Sequence, residues 1–115
     1  MEVTISIYDF LGDSQATEID DGERLCDELK RQIDNGNIVY LDFNEIESCV
    51  TRFLNPAIGQ LLNFYNKMTL SKHIKIKNIR LSYLNKLKAV ISNAQNFYSN
   101  PDLYKKMVSE LIENA

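Results

Sequence analysis

The chain has 115 residues, 44% of them hydrophobic and 25% charged, with a formal net charge of −3. That length holds one core and no second one, so a single domain over residues 1–115 is expected. With 4 Gly and 2 Pro it has no room for low-complexity linkers, and its acidic balance argues against a dedicated nucleic-acid binder.

The first predicted element is a strand. Val3, Ile5 and Ile7 alternate with Thr4, Ser6 and Tyr8, the period of a strand with one wet face. Phe10 to Glu18 is polar, with Gly12-Asp13-Ser14 as turn material. Asp20 or Asp21 then caps a helix whose Leu25, Leu29 and Ile33 recur every four residues beside Cys26. Gly36 is its left-handed stop. Ile38-Val39-Tyr40-Leu41-Asp42-Phe43 comes next, nearly all apolar, which reads as a central parallel strand buried on both faces. Asn55-Pro56 reads as a helix opening with Asn55 as cap, carrying Ala57, Ile58, Leu61, Leu62 and Tyr65 on one face. His73–Ile79 alternates again, a third and wetter strand. A helix is expected from about Ser82 to Tyr98, and Asn100-Pro101 opens a last one with Leu103, Tyr104, Met107, Val108, Leu111 and Ile112 as its stripe. The order β-α-β-α-β-α-α implies an α/β fold, a mixed or parallel sheet of three to four strands with helices packed on it. A fourth strand is sought in Ser48–Phe53 or near Phe10.

No stretch approaches the ~20 apolar residues a spanning helix needs, so no membrane contact is expected. The Met1-Glu2-Val3-Thr4 start has no basic segment leading an apolar run, so a secretory signal is not expected either. Two isolated cysteines then read as reduced, buried thiols, and the compartment as the cytoplasm.

The small net charge hides a polarity. Residues 1–47 hold 13 acids and 3 bases, whereas residues 48–101 hold 8 bases and no acid. The boundary falls just after Glu47, within the loop that leaves the central strand. In open α/β sheets, functional surface lies outside the carboxyl ends of such strands.

At Leu41-Asp42-Phe43, Glu45-Ile46-Glu47 and Thr51-Arg52-Phe53-Leu54 to Gly59, the chain resembles STAS-like domains. These are a bacterial family, mostly of unassigned function, distantly related to anti-sigma-factor-antagonist domains. The resemblance begins near Gly22 and Leu25, is strongest over residues 38–62 and reaches toward Leu87–Tyr98. It implies a small regulatory β/α module that binds a protein partner, such as a GHKL-type ATPase or kinase. It also implies a switch, phosphorylation of a Ser in an Asp-Ser-Ser-Gly stretch between strand and helix. In this chain Val50 stands at the Asp of that stretch, Thr51 at the first Ser, Arg52 at the phosphoacceptor and Phe53 at the Gly. Arginine accepts no phosphoryl group, so docking survives the comparison better than the switch does. If a hydroxyl is modified, Thr51 or Ser48 is the candidate, where a phosphate would face helix N-terminal amides. The partner surface is then expected at Glu45, Glu47, Ser48, Thr51, Arg52 and Asn55.

Other chemistries are weaker. Asp42 at a strand end invites an enzyme reading, but a general acid or base needs a second group in reach, and the single His73 lies elsewhere in the sequence. No catalytic triad, Cys-His pair or Gly-rich phosphate loop appears. Asp42 is expected to accept N–H bonds from the loop after it, because a buried carboxylate must be paired. A metal cluster of Asp9, Asp13, Asp20, Asp21 and Asp42 has no supporting spacing, and no cofactor is expected. The basic residues Lys72, Lys75, Lys77, Arg80, Lys86 and Lys88 raise nucleic-acid binding as an alternative. Tyr83 is the single aromatic among them, too few for a stacking platform; Lys75 and Lys77 also suit an edge strand guarded against aggregation. The charge polarity also suits self-association into a homo-oligomer, head to tail.

Overall fold

The computed structural model describes residues 1–93. In chain order they form β1 (Glu2–Ser6), α1 (Ile7–Leu11), β2 (Gln15–Ala16), α2 (Ile19–Asp34), β3 (Ile38–Asp42), β4 (Ser48–Cys49) and α3 (Thr51–Ala57). A 3-10 turn (Gly59–Asn63), α4 (Lys67–His73), β5 (Ile74–Lys77) and α5 (Leu81–Ser92) complete them. The expected last helix, and Ala94 and Tyr98 of the expected long one, lie outside the described residues.

The fold is α/β. Its main sheet has the order β1-β3-β5, with every pairing parallel and β3 in the middle. In register, Val3 pairs with Val39 and Ile5 with Leu41; Val39 in turn pairs with Ile74 and Leu41 with Ile76. These six side chains share one face. Val39, Leu41, Ile74 and Ile76 are buried there, under Leu25, Leu29 and Ile33 of α2, Phe53 and Leu54 of α3, and Leu84, Leu87 and Ile91 of α5, all in one core cluster. β3 departs from the expectation of two buried faces. Its burial alternates, with Ile38, Tyr40 and Asp42 partly exposed, because the described helices gather on one side. Tyr40 shields the other face, with the Lys77 ammonium 4.2 Å from its ring centroid.

The fourth strand does fall at Ser48–Cys49, but it forms a separate two-stranded sheet, pairing in parallel with Gln15–Ala16. Near Phe10 the chain is helical instead. Ile7 leaves the strand pattern because Ser6 caps α1, its hydroxyl accepting from the Asp9 amide at 3.1 Å. α1 ends at Gly12, whose φ of 70° is open to a residue without a Cβ. α2 starts earlier than the expected cap: Glu18 is the cap, without a side-chain bond, and Asp20 and Asp21 sit in the first turn, where acids suit the helix dipole. Gly36, at φ 79°, follows the Asn35 cap as expected.

The larger correction is in α3. Asn55 is not its cap. The helix begins at Thr51 after Val50, so Pro56 lies inside it, next to its last residue, Ala57. Proline cannot donate to the carbonyl four residues back, and its ring crowds it, so α3 stays short and the chain tightens into the 3-10 turn carrying buried Leu61 and Leu62. α4 comes next, capped by the Asn66 side chain on the Thr69 amide at 2.9 Å, a helix not expected from the sequence.

α2 and α3 pack closely enough to exclude a side chain at their crossing. A Cβ placed on Gly22 would lie 2.5 Å from the Phe53 carbonyl oxygen and 2.7 Å from Pro56 Cγ. Only glycine fits that crossing, and the crossing fixes where α3 lies on the sheet.

Candidate functional site: the loop after the central strand

The carboxyl ends of β1, β3 and β5 bring Ser6, Asp42 and Lys77 into one row. Asp42 organises the loop beyond β3. Its Oδ1 accepts from the Asn44 amide at 2.9 Å and from the Asn78 side-chain amide at 2.9 Å. The first bond is the turn Asp makes with the backbone two residues on; the second ties the loop after β3 to the loop after β5. The Phe43 amide donates to the Lys77 carbonyl at 3.0 Å, joining the same two loops. Two non-glycine residues of these loops, Glu45 at φ 71° and Asn78 at φ 56°, are left-handed, which the clamps on either side hold in place.

Farther on, Phe43 and Ile46 are buried plugs and Glu45 and Glu47 stay exposed around them. The Glu47 amide donates to the Ser14 carbonyl at 2.9 Å and the Ser14 hydroxyl to the Glu47 carboxylate at 3.3 Å. Beyond β4, Lys86 of α5 donates to the Cys49 carbonyl at 2.9 Å. The loop is therefore pinned by three elements distant in sequence. The parts of Ser14 and Asn78 in holding this loop were not legible, since two-residue strands leave no periodicity, and Lys86 was read from the sequence as a nucleic-acid candidate, not as a tie to the Cys49 carbonyl.

Of the expected partner surface, Glu45, Glu47, Thr51, Arg52 and Asn55 are exposed and Ser48 is half-buried in β4. Asn55 projects from α3, not from its cap. α3 has only seven residues, and its Phe53 and Leu54 amides already donate to the Val50 carbonyl at 3.0 and 3.1 Å, so a phosphate on Thr51 or Ser48 would not meet those amides free.

The other candidate groups are dispersed. His73 Nδ1 lies 2.8 Å from the Asn37 carbonyl, at the amino end of the sheet, with the length of β3 between it and Asp42. That is roughly 13 Å for five residues, too far for a shared proton. The acids separate too: Asp13 accepts from the Gln15 amide at 3.1 Å and Asp21 pairs with Arg24 at 3.1 Å. Among the described residues, no three His, Cys, Asp or Glu side chains are placed to hold a metal ion. Cys26 and Cys49 are both free and buried. Burial pushes the Cys49 thiol up to about 11, with Lys86 pulling weakly the other way, and burial raises Cys26, so neither is a thiolate at neutral pH.

The basic residues do not form one strip. Lys72 is exposed on α4. Lys75 donates to the Ser71 carbonyl at 2.7 Å and Lys77 covers the Tyr40 ring, both on β5, an edge of the main sheet. Arg80 precedes α5, with its guanidinium 5.6 Å from the Tyr83 ring centroid. Lys86 reaches Cys49, and Lys88 is half-buried on α5. No described helix is long and apolar enough to cross a membrane.

The family model described as a STAS-like domain of unknown function (DUF4325) matches residues 21–84, from the first turn of α2 into α5. No curated protein and no solved structure matches the chain. The matched span contains β3, the pinned loop, α3 and β5, and on that match the chain belongs to the STAS-like domain family of unknown function.

Proposed function

We propose that the protein is a non-catalytic regulatory module that binds a protein partner through the ledge formed by Glu45, Glu47, Ser48, Thr51, Arg52 and Asn55. The observation that carries this reading is the pinning of the loop. Asp42 holds its start and Ser14 its far end, so its outward side chains are ordered before any partner arrives. Preorganisation of that kind lowers the entropy lost on association. The acids Glu45 and Glu47 share the ledge with Arg52, so it presents both signs of charge and favours one docking register over others. The engaged Asp42 oxygen, the distance to His73 and the buried thiols support a module without chemistry of its own. A GHKL-type ATPase or kinase in the bacterial cytoplasm is the partner class the family resemblance favours.

The test is a titration calorimetry comparison of wild type, Thr51→Glu and Arg52→Glu against a purified GHKL-type ATPase. A new negative charge at Thr51, or the reversed charge at Arg52, is expected to weaken binding by at least about tenfold. Unchanged affinity in both variants removes the ledge as the contact surface.

A further inference from the structure

A second surface lies between α2 and the end of α3, where the structure holds an open cleft of about 170 Å³. Cys26 of α2, Pro56 and the ring of Phe64 line it. Phe64 is 60% exposed, a large apolar surface left to solvent. Glu23, Asp27 and Gln60 add polar lining. The volume is below the range of small-molecule sites and matches a single long side chain.

The charges say which one. Glu23 and Asp27 stand one turn apart on α2, the spacing at which like charges repel. Asp27 has one cation near it, Lys30 at 3.9 Å, and no ion pair reaches Glu23 among the described residues. Lys30 shows what the cleft holds, for its ammonium lies 4.0 Å from the Phe64 ring centroid, over an aromatic face and beside a carboxylate. The two carboxylates are exposed, Asp27 by 80% of its side chain, and among the described residues Lys30 is the single cation paired with either of them.

We infer that the cleft receives an arginine side chain from a protein partner, its guanidinium between Glu23 and Asp27 and its stem along Pro56 and Phe64. Arginine suits the place better than lysine, because a planar guanidinium reaches two carboxylates and stacks on a ring face. The cleft shares no lining residue with the Glu45–Asn55 ledge and does not depend on it. Lys30 acts as an internal competitor that the incoming group displaces from the ring.

The experiment is an amide-resolved NMR titration of the full chain with acetyl-Gly-Arg-Gly-amide, with acetyl-Gly-citrulline-Gly-amide as the neutral isostere. Saturable shifts are expected at Cys26, Asp27, Gln60 and Phe64 with the arginine peptide and not with citrulline. Glu23→Gln with Asp27→Asn is expected to weaken binding about tenfold. Lys30→Ala is expected to strengthen it, by freeing the ring face and Asp27. Equal shifts from the two peptides, which needs no variant to fold, overturn the inference, as does weaker binding in Lys30→Ala.

Discussion

Tyr65 shows how much one hydroxyl can do when its neighbours are placed. Its Oη donates its one proton to the Asp34 carboxylate at 2.8 Å, with the Lys30 carbonyl 3.3 Å away as a second, weaker acceptor of the same proton, and so holds the segment after the 3-10 turn against the end of α2. Burial first, and the Asp34 carboxylate second, push its phenol from 10.0 up to about 12. A protonated Tyr65 is thus favoured by the folded state. The stability it lends is complete below pH 10 and is lost as pH rises from 10 through 12. Wild type is expected to lose more stability than Tyr65→Phe over that window in urea melts, while at neutral pH the variant is less stable by about 1 kcal/mol. Parallel pH profiles of the two proteins contradict this. Asp42 acts by the same logic: its place at a strand end calls for loop amides, and it finds one in Asn44. Its second partner, Asn78, is 36 residues away, beyond any local pattern.

Elements held by regular burial were legible, and elements held by a single contact were not. The four-residue spacing of Leu25, Leu29 and Ile33 announces α2, and the alternation of Ile74 and Ile76 announces β5, because each face repeats often enough to stand out. β2 and β4 are two residues each and repeat nothing. The start of α3 was hidden because Asn-Pro resembles a helix start more than a helix end, and only packing reveals that Thr51 begins it. That packing rests on Gly22. Gly22→Ala forces a methyl into the Phe53 carbonyl and the Pro56 ring, neither of which can swing aside, and is expected to cost roughly 2–3 kcal/mol, measured by chemical denaturation. A loss below about 0.5 kcal/mol would mean α2 and α3 can part without consequence. The candidate ledge is legible in sequence as a stretch of chain; the residues that hold it still emerge only in three dimensions.

At the scale of the whole molecule, the charge polarity of the chain becomes a spatial one only in part. The acids of α2 line one cleft and the acids of the pinned loop one ledge, while several bases of the second half turn to carbonyls and rings. On the proposed reading, two acid-bearing surfaces and a partly engaged basic half would suit partners that bring positive charge. The all-parallel sheet has a further consequence, in time. Val3 must find Val39, and Val39 must find Ile74, so each pairing closes a loop of roughly 35 residues before it gains anything. Refolding is therefore expected in milliseconds to seconds, not microseconds; a stopped-flow experiment with all its amplitude in the dead time contradicts that. During synthesis β3 emerges long before β5, so Val39 and Leu41 wait half-paired, and the bond from Asn78 to Asp42 that ties the candidate loop cannot form until the chain beyond β5 has been made.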